Sequence, residues 1–419
     1  MMQSLFAGVS GLRSHQRRMD VIGNNVANVN TVGYKAARAT FQDVLYNTLR
    51  GAGAPQGNRG GTNPMQVGLG VQVGSIDTLF TPGNPQSTGV ETDLMIQGEG
   101  LFVVSDGERY FYTRAGNFYP DAEGTLVTPG GYKVMGWEAD PQTGVIDPKA
   151  PVVPLTVKKG SMIDATATEL VKLAGNLDAE TAEGDVVRTP AKVIYDSQGH
   201  AHETYVQFTR QIGVDNSWYV VVYVDGVAQL PAGGSPYTIS FDTNGRIVPP
   251  AQPLQFNVSL QGGVDPLSFE LDVTELTQFA GQDADEDEST ATIAFQDGFP
   301  SGTLERFAFD SNGVITGYYS NGLRRTLGQV AIALFANPGG LERRGESLFA
   351  ESPNSGMANI GAANTGGRGS ILPSTLEMSN VDLAQEFTEM ILTQRGYQAN
   401  SRVITTSDEM LQELVNLKR

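Results

Sequence analysis

No cysteine occurs in the 419 residues, and histidine occurs only three times, as His15, His200 and His202. The first absence excludes disulfides, thiolate metal sites and cysteine nucleophiles. The second leaves little material for acid–base or metal chemistry near neutral pH. Basic residues are also in deficit. The chain has 28 Lys and Arg against 46 Asp and Glu, and the net charge of -18 argues against nucleic acid or an anionic membrane surface as main partner. Long apolar runs are missing: YVVVYV (Tyr219 to Val224) and VAIALFA (Val330 to Ala336) fall far short of the roughly 18 residues that span a bilayer, so no membrane insertion is expected. At the N-terminus a short apolar patch precedes the arginines, the reverse of a secretory signal, and no conventional cleaved leader is expected.

What the chain does have is glycine, 50 residues, with 21 prolines, which suits turn-rich globular domains, two to four of them at about 100–200 residues each. Charge is unevenly spread. Residues 1–60 hold seven Lys/Arg and two Asp/Glu, residues 380–419 hold four and six, and residues 61–379 hold 17 and 38. The acidity belongs to the middle, and the near-neutral ends are easier to bring together.

Those ends carry a helical period. Leu5, Leu12, Met19 and Val26 recur at sevens, each followed three positions later by Gly8, His15, Ile22 and Val29, which predicts an a/d seam. At the other end Leu376, Leu383, Met390, Tyr397, Ile404 and Leu411 also fall at sevens, with Phe387, Ile391, Leu414 and Val415 widening the stripe. Ser379 or Asn380 is the expected cap of this second helix, with Asp382 in its first turn and Lys418–Arg419 at its C-terminus. Such helices can cover their seams on each other, on the body or on a neighbouring molecule, and alone they are marginal in water.

Between the ends the pattern is strand and turn. Leu101–Val104 and Tyr110–Thr113 flank Asp106-Gly107, Trp218–Val224 runs into Asp225-Gly226, and Phe307–Phe309 and Val314–Tyr319 flank a DSNG turn. Further strands are expected at Ala191–Tyr195, Glu203–Phe208 and Leu267–Val273. Two Gly-rich stretches, Arg50–Pro64 and Asn354–Ser370, read as linkers or extended loops. Pro-rich Asp147–Leu155 and acidic Gln282–Thr290 bound a segment that reads as a β domain inserted in the first. The fold class is therefore mainly β with α-helical termini and a body of two β domains. The expected extents are 1–70 and 366–419 for the terminal helices with their linkers, 71–150 and 291–365 for the inner β domain, and 151–290 for the inserted outer one.

Candidate chemistry is sparse. His200-Ala201-His202 puts two imidazoles on one strand face without a third ligand nearby in the sequence. Asp283, Asp285 and Asp287 imitate the start of an EF-hand, but Glu288 replaces the glycine and Ala294 the closing glutamate. Gly98-Glu99-Gly100 lacks a dinucleotide fingerprint, and G-x-S-x-G and H-E-x-x-H are absent. No catalytic residue, cofactor or metal is expected. A secreted β-domain adhesin is the rival class to a structural subunit, and a hydrolase the third.

A resemblance adds to this reading. SLFAGVSGLRSHQRRMDVIGNNVANVNTVGYKAARATFQDVL resembles the N-terminal signature of the bacterial flagellar rod and hook family, with Asn24, Asn25, Asn28 and Asn30, then Thr31, Gly33 and Tyr34. SNVDLAQEFTEMILTQRGYQANSRVITTSDEMLQELVNLKR is similar to its C-terminal motif, and NPMQVGLGVQVGSIDTLFTPGNPQSTGVETDLMIQGEGLFVV and YTRAGNFYPDAEGTLVTPGGYKVMGW look like its interior. Rod members are shorter and junction members usually longer, so the extra domain points to the hook members. The resemblance implies paired terminal helices forming an inner coiled coil, and a homopolymeric, flexible tube that transmits motor torque. The implied partners are the flagellar rod, hook cap, hook–filament junction proteins and export apparatus, at an extracellular location. The implied subunit-assembly residues are Leu5, Leu12, Met19, Ile22, Val26, Asn24, Asn25, Asn28, Thr31, Gly33 and Tyr34, with Leu383, Phe387, Met390, Ile391, Tyr397, Ile404, Leu411 and Leu414.

Overall fold

A computed structural model describes residues 2–55, 57, 60–141, 143–231, 234–249, 253–259, 266–280 and 289–416. The EF-hand-like aspartates Asp283, Asp285 and Asp287, most of the acidic stretch around them, and Lys418–Arg419 lie outside the described residues. The chain divides into two compact units: residues 1–158, 307–316 and 326–419 form the first, and 159–306 with 317–325 the second.

The first unit contains both helices, α1 (Met2–Ala27) and α2 (Leu383–Asn416). The Asn-rich run terminates α1. Asn28 Nδ2 donates to the Asn24 carbonyl at 2.9 Å, and Thr31 Oγ1 donates to Asn28 Oδ1 at 3.1 Å, so short amide side chains take over from the helical ladder. The start of α2 is capped by Asp382, whose Oδ1 accepts the Ala384 and Gln385 amides at 2.8 and 3.2 Å. The expected caps are otherwise engaged. Ser379 Oγ accepts the Val381 amide, and the Asn380 side chain bonds the N-terminal half of the chain.

Strands Ala37–Asp43 and Val71–Thr78 form an antiparallel ribbon, with a register shift between Thr40 and Phe41. The body sheet orders Lys133–Glu138, Leu101–Ser105, Tyr110–Thr113, Leu348–Ala350 and Glu342–Gly345 as neighbours. Leu101–Ser105 is buried along its whole length, as expected of a continuous apolar run. Its core gathers Leu101, Val103, Tyr112, Met135, Trp137 and Phe335. Residues 151–158 stay with this unit, because Val153–Pro154 pairs with Met135 and Gly136.

The second unit has a four-stranded sheet, ordered Leu254–Val258, Leu267–Phe279, Leu170–Asp178, Thr292–Gln296, and a seven-stranded sheet whose main path is Val186–Arg188, Ala201–Arg210, Ser217–Val224, Tyr237–Phe241, Ile247–Val248. Alternate residues of Ser217–Val224 are buried, and residues of both sheets, among them Trp218, Val220, Phe208, Phe256 and Leu173, share one core. The turn after this strand has positive φ at Asp225 (49°) and Gly226 (77°), the pair that a tight two-residue hairpin needs.

One expected linker is not one. Asn354–Ser370 includes strand Asn359–Gly361, paired with Ile332–Leu334, and Arg368 holds it by donating to the Ile332 and Asn359 carbonyls at 3.2 and 2.9 Å. Its glycines and alanines are small because the segment packs closely: Ala362 and Ala363 are buried. The other stretch is the loop of an exposed hairpin: Tyr46–Arg50 and Met65–Gly68 pair on either side of it, with a further bridge between Gly53 and Thr62 within it.

Candidate assembly interface

The helices α1 and α2 pack antiparallel, with contacts spread along the length of both. Ser4 Oγ lies 3.5 Å from Ser407 Oγ, Arg18 Nη2 donates to Glu389 Oε2 at 3.1 Å, and Asn25 Nδ2 donates to Glu386 Oε1 at 2.9 Å. Between these points the seam is made by glycine. A Cβ on Gly8 would lie 3.1 Å from Ile404 Cγ1, one on Gly11 would lie 2.7 Å from Asn400 Oδ1, and one on Gly396 would lie 2.6 Å from the His15 ring. The line on α1 is Ser4, Gly8, Gly11, His15, Arg18 and Asn25. Leu5, Leu12, Met19 and Val26 stand one position beyond it and are half-buried. The sevens are present, but the backbones meet over small and polar residues, which permit a closer approach than leucine would.

The other side of α1 faces the ribbon. Ser10 Oγ accepts the Val71 amide at 3.2 Å, Ser14 Oγ donates to the Val71 carbonyl at 3.4 Å, and the His15 ring meets Phe41 edge-on at 5.4 Å. Burial, helped by the Arg18 charge, holds the His15 imidazole below its ordinary value. Burial pushes the Glu386 carboxyl up, against the pull of its hydrogen bond from Asn25.

The Asn-rich turn is a knot rather than an exposed patch. Asn25 is 1 % exposed; its Oδ1 accepts the Tyr34 hydroxyl at 3.2 Å and the Ala37 amide at 2.9 Å, and its Nδ2 donates to the Ala37 carbonyl at 2.8 Å. Ile22 and Tyr34 are buried, Asn28 and Thr31 are half-buried, and Asn24 is exposed. Gly33 has φ 66° and its α-carbon faces the Arg114–Ala115 backbone, so a side chain fits neither the conformation nor the space. Next to it, Lys35 Nζ lies 2.6 Å from Glu377 Oε1 and Arg114 Nε lies 3.1 Å from Glu377 Oε2, with Lys35 and Glu377 side chains fully buried. Burial lowers both the Lys35 and Arg114 values, while Glu377 pulls each back up. Sequence reasoning singled out neither this cluster nor the seam glycines Gly11 and Gly396. Its partners lie 342 residues apart, with nothing local to pair them.

On α2, at 3.6 residues per turn, the line facing α1 runs through Glu386, Thr393, Asn400 and Ser407. Thr393 and Ser407 are buried, and Met390, Ile404 and Leu411 are half-buried. Apolar residues remain uncovered on both sides of that line. Leu383, Phe387 (51 % exposed) and Ile391 (57 %) fall on one side, and Leu392 (62 %), Val403 and Met410 on the other; Tyr397, Leu414 and Val415 are also exposed. On α1, Phe6 is exposed at 66 %. Patches of this kind on a folded chain mark interaction surfaces.

The histidine pair of the second unit lies among carboxylates, although the buried His202 Nε2 makes no hydrogen bond. His200 Nδ1 is 3.1 Å from Asp196, and His202 lies 2.6 Å from Asp225 through Nδ1 and 3.5 Å from Asp196 through Nε2. Among the described residues no group of three or more His, Asp or Glu is arranged to hold a metal ion, and no helix is long and apolar enough to cross a membrane.

Paired terminal helices with uncovered apolar flanks, knotted to β sheets, define a self-assembling structural subunit. Comparison with known proteins identifies which kind. Residues 5–35 match the flagella basal body rod protein family, 95–170 the flagellar hook protein FlgE/F/G D1 domain, 178–299 the flagellar basal body protein FlaE D2 domain, and 372–417 the flagellar basal body rod FlgEFG protein C-terminal region. Over the full length of both chains, the protein is 42 % identical to the flagellar hook protein FlgE of Treponema pallidum and 41 % identical to that of Borreliella burgdorferi. It is 33 % identical to the flagellar basal-body rod protein FlgG of Bacillus subtilis, again over the whole of both chains. The crystal structure of Helicobacter pylori flagellar hook protein FlgE2 shares the fold, with a TM-score of 0.50 at 17 % identity over 71 % of this chain and all of that one. The chain belongs to the flagellar rod and hook protein family, whose members are structural proteins rather than enzymes.

Proposed function

We propose that this protein is the structural subunit of a flagellar hook, polymerising into a flexible tube that transmits motor torque. The observation that carries this reading is the uncovered apolar surface on both sides of α2, which a monomer leaves in water and a polymer buries. In this reading the intramolecular helix pair forms the inner layer. Leu383, Phe387, Ile391, Tyr397 and Leu414 meet neighbouring copies, whereas Ile22, Asn25, Gly33 and Tyr34 act by holding the pair in position. Leu5, Leu12, Met19 and Val26, with Met390, Ile404 and Leu411, seal the edges between them.

The proposed organisation has three parts, with terminal helices at 1–70 and 366–419, an inner β domain at 71–150 and 291–365, and an outer one from 151 to 290, adjusted so that 151–158 join the inner domain and 291–306 and 317–325 the outer one. A hook that rotates while bent shortens and lengthens each protofilament once per turn, so outer contacts have to be wet and modest in area to slide. The acidic middle of the chain suits such a surface. Rod, hook cap, junction proteins and the export apparatus are the proposed partners, and the proposed location is extracellular, reached through that export apparatus. A chain free of cysteine meets no disulfide barrier on that route.

Electron microscopy of the purified, concentrated protein tests the reading. Curved tubes are expected; straight tubes would favour a rod member, and a persistently monomeric protein would overturn the proposal.

A further inference from the structure

We infer that the buried cluster of Lys35, Arg114 and Glu377 is a closure lock: the N-terminal turn that positions α1 stays open until the segment carrying Glu377 is in place. Lys35 and Arg114 have side-chain exposures of 0 % and 4 %, and among the described residues Glu377 is the one acidic group in ion-pair contact with them. Without it, two cations share a site that water does not reach, and breaking a buried pair in this way is strongly unfavourable for a marginally stable unit.

A second set of bonds points the same way. The Gly33 amide donates to the Glu377 carbonyl at 2.8 Å, the Gly83 amide donates to Glu377 Oε1 at 2.8 Å, and the Ala36 amide donates to Asn380 Oδ1 at 2.7 Å. Asn380 Nδ2 donates in turn to the Leu79 carbonyl at 2.9 Å. Glu377 and Asn380 thus satisfy backbone groups at positions 33, 36, 79 and 83, and buried backbone groups left without partners are costly. The helix that follows, α2, begins at Leu383, directly after the lock. Locking and helix pairing are therefore one event that needs nearly the whole chain. If the chain is a hook subunit, as proposed above, a partly delivered chain cannot present a finished helix pair to the growing end.

Pulse-labelled hydrogen exchange during refolding of the full chain tests the lock. The Gly33 and Ala36 amides are expected to gain protection in the same phase as α2 and after Leu101–Ser105; protection of Gly33 before α2 overturns the inference. In Glu377→Gln at equilibrium, Gly33 and Ala36 are expected to exchange at least tenfold faster while Leu101–Ser105 stays within twofold, and unchanged rates at Gly33 and Ala36 overturn it. Should that variant fail to fold, the triple variant Lys35→Met, Arg114→Met, Glu377→Met decides. Protection at Gly33 within threefold of the native chain supports an electrostatic lock, and a loss as large as any single charge removal refutes it. Tube formation by the native chain is read separately: its failure with the lock intact counts against the hook reading and not against the lock.

Discussion

Gly396 and His15 show how much one atom decides in this protein. A Cβ at residue 396 would stand 2.6 Å from the imidazole, and one at Gly11 would collide with the Asn400 side chain, so both helices are held apart by any larger residue. Gly396→Ala is expected to cost about 1–3 kcal/mol of helix-pair stability by overpacking, despite alanine's better helix propensity. Helical ellipticity should melt earlier while the β signal stays unchanged. His15 adds a pH dependence. Its folded value lies below the ordinary 6.5, so the pair prefers neutral imidazole; its contribution is full above 6.5 and is lost as pH falls through the lowered value. Glu386 has the opposite sign: its value is raised, so its contribution is present below the ordinary 4.5 and is lost as pH rises through the raised value. Acidification from about pH 7.5 to 5.5 should loosen the helix pair in the native chain and much less in His15→Gln, as read by helical melting. An equal loss in the variant would assign the effect elsewhere.

At the scale of elements, the recurrence of apolar residues at sevens located both helices, Met2–Ala27 and Leu383–Asn416, because period alone distinguishes a helix from the strands around it. It did not tell which stripe meets which partner. The seam that closes within the chain uses Gly8, Gly11, His15 and Gly396, and the large apolar side chains Phe387, Ile391 and Leu392 are left outside it. Ile391→Asp is therefore expected to abolish polymerisation while changing monomer stability by less than about 0.5 kcal/mol, since the side chain is 57 % exposed. Light scattering with thermal melting separates the two effects; polymerisation at the native concentration would show that this side of α2 is not an interface. The Gly-rich segment Asn354–Ser370 teaches the complementary lesson. Composition suggested a flexible joint, but small residues also serve where chain packs on chain, and Arg368 ties this one down.

On the scale of the whole molecule, each compact unit has its own core and one of the two tryptophans, Trp137 in the first and Trp218 in the second, both buried. Trp137→Phe and Trp218→Phe thus make the remaining fluorophore a reporter of a single unit. The two variants are expected to show distinct denaturation midpoints, because the separate hydrophobic clusters around Trp137 and Trp218 can each unfold cooperatively. Coincident midpoints in denaturant would instead mean that the chain unfolds as one.

Local pattern determined most of the parts: strands from alternation and turn chemistry, helices from period, and the lack of catalytic material from composition. The family was legible in the Asn-rich run and the C-terminal motif. Only the tertiary structure decided which residues those parts use to meet. Lys35 and Glu377 stand 342 positions apart, His15 and Gly396 farther still, and Asp382 rather than Ser379 or Asn380 caps α2 because Asn380 is drawn away to Ala36 and Leu79. Periodicity records the environment that a residue prefers, whereas the identity of its partner depends on long-range closure, which no local spacing encodes.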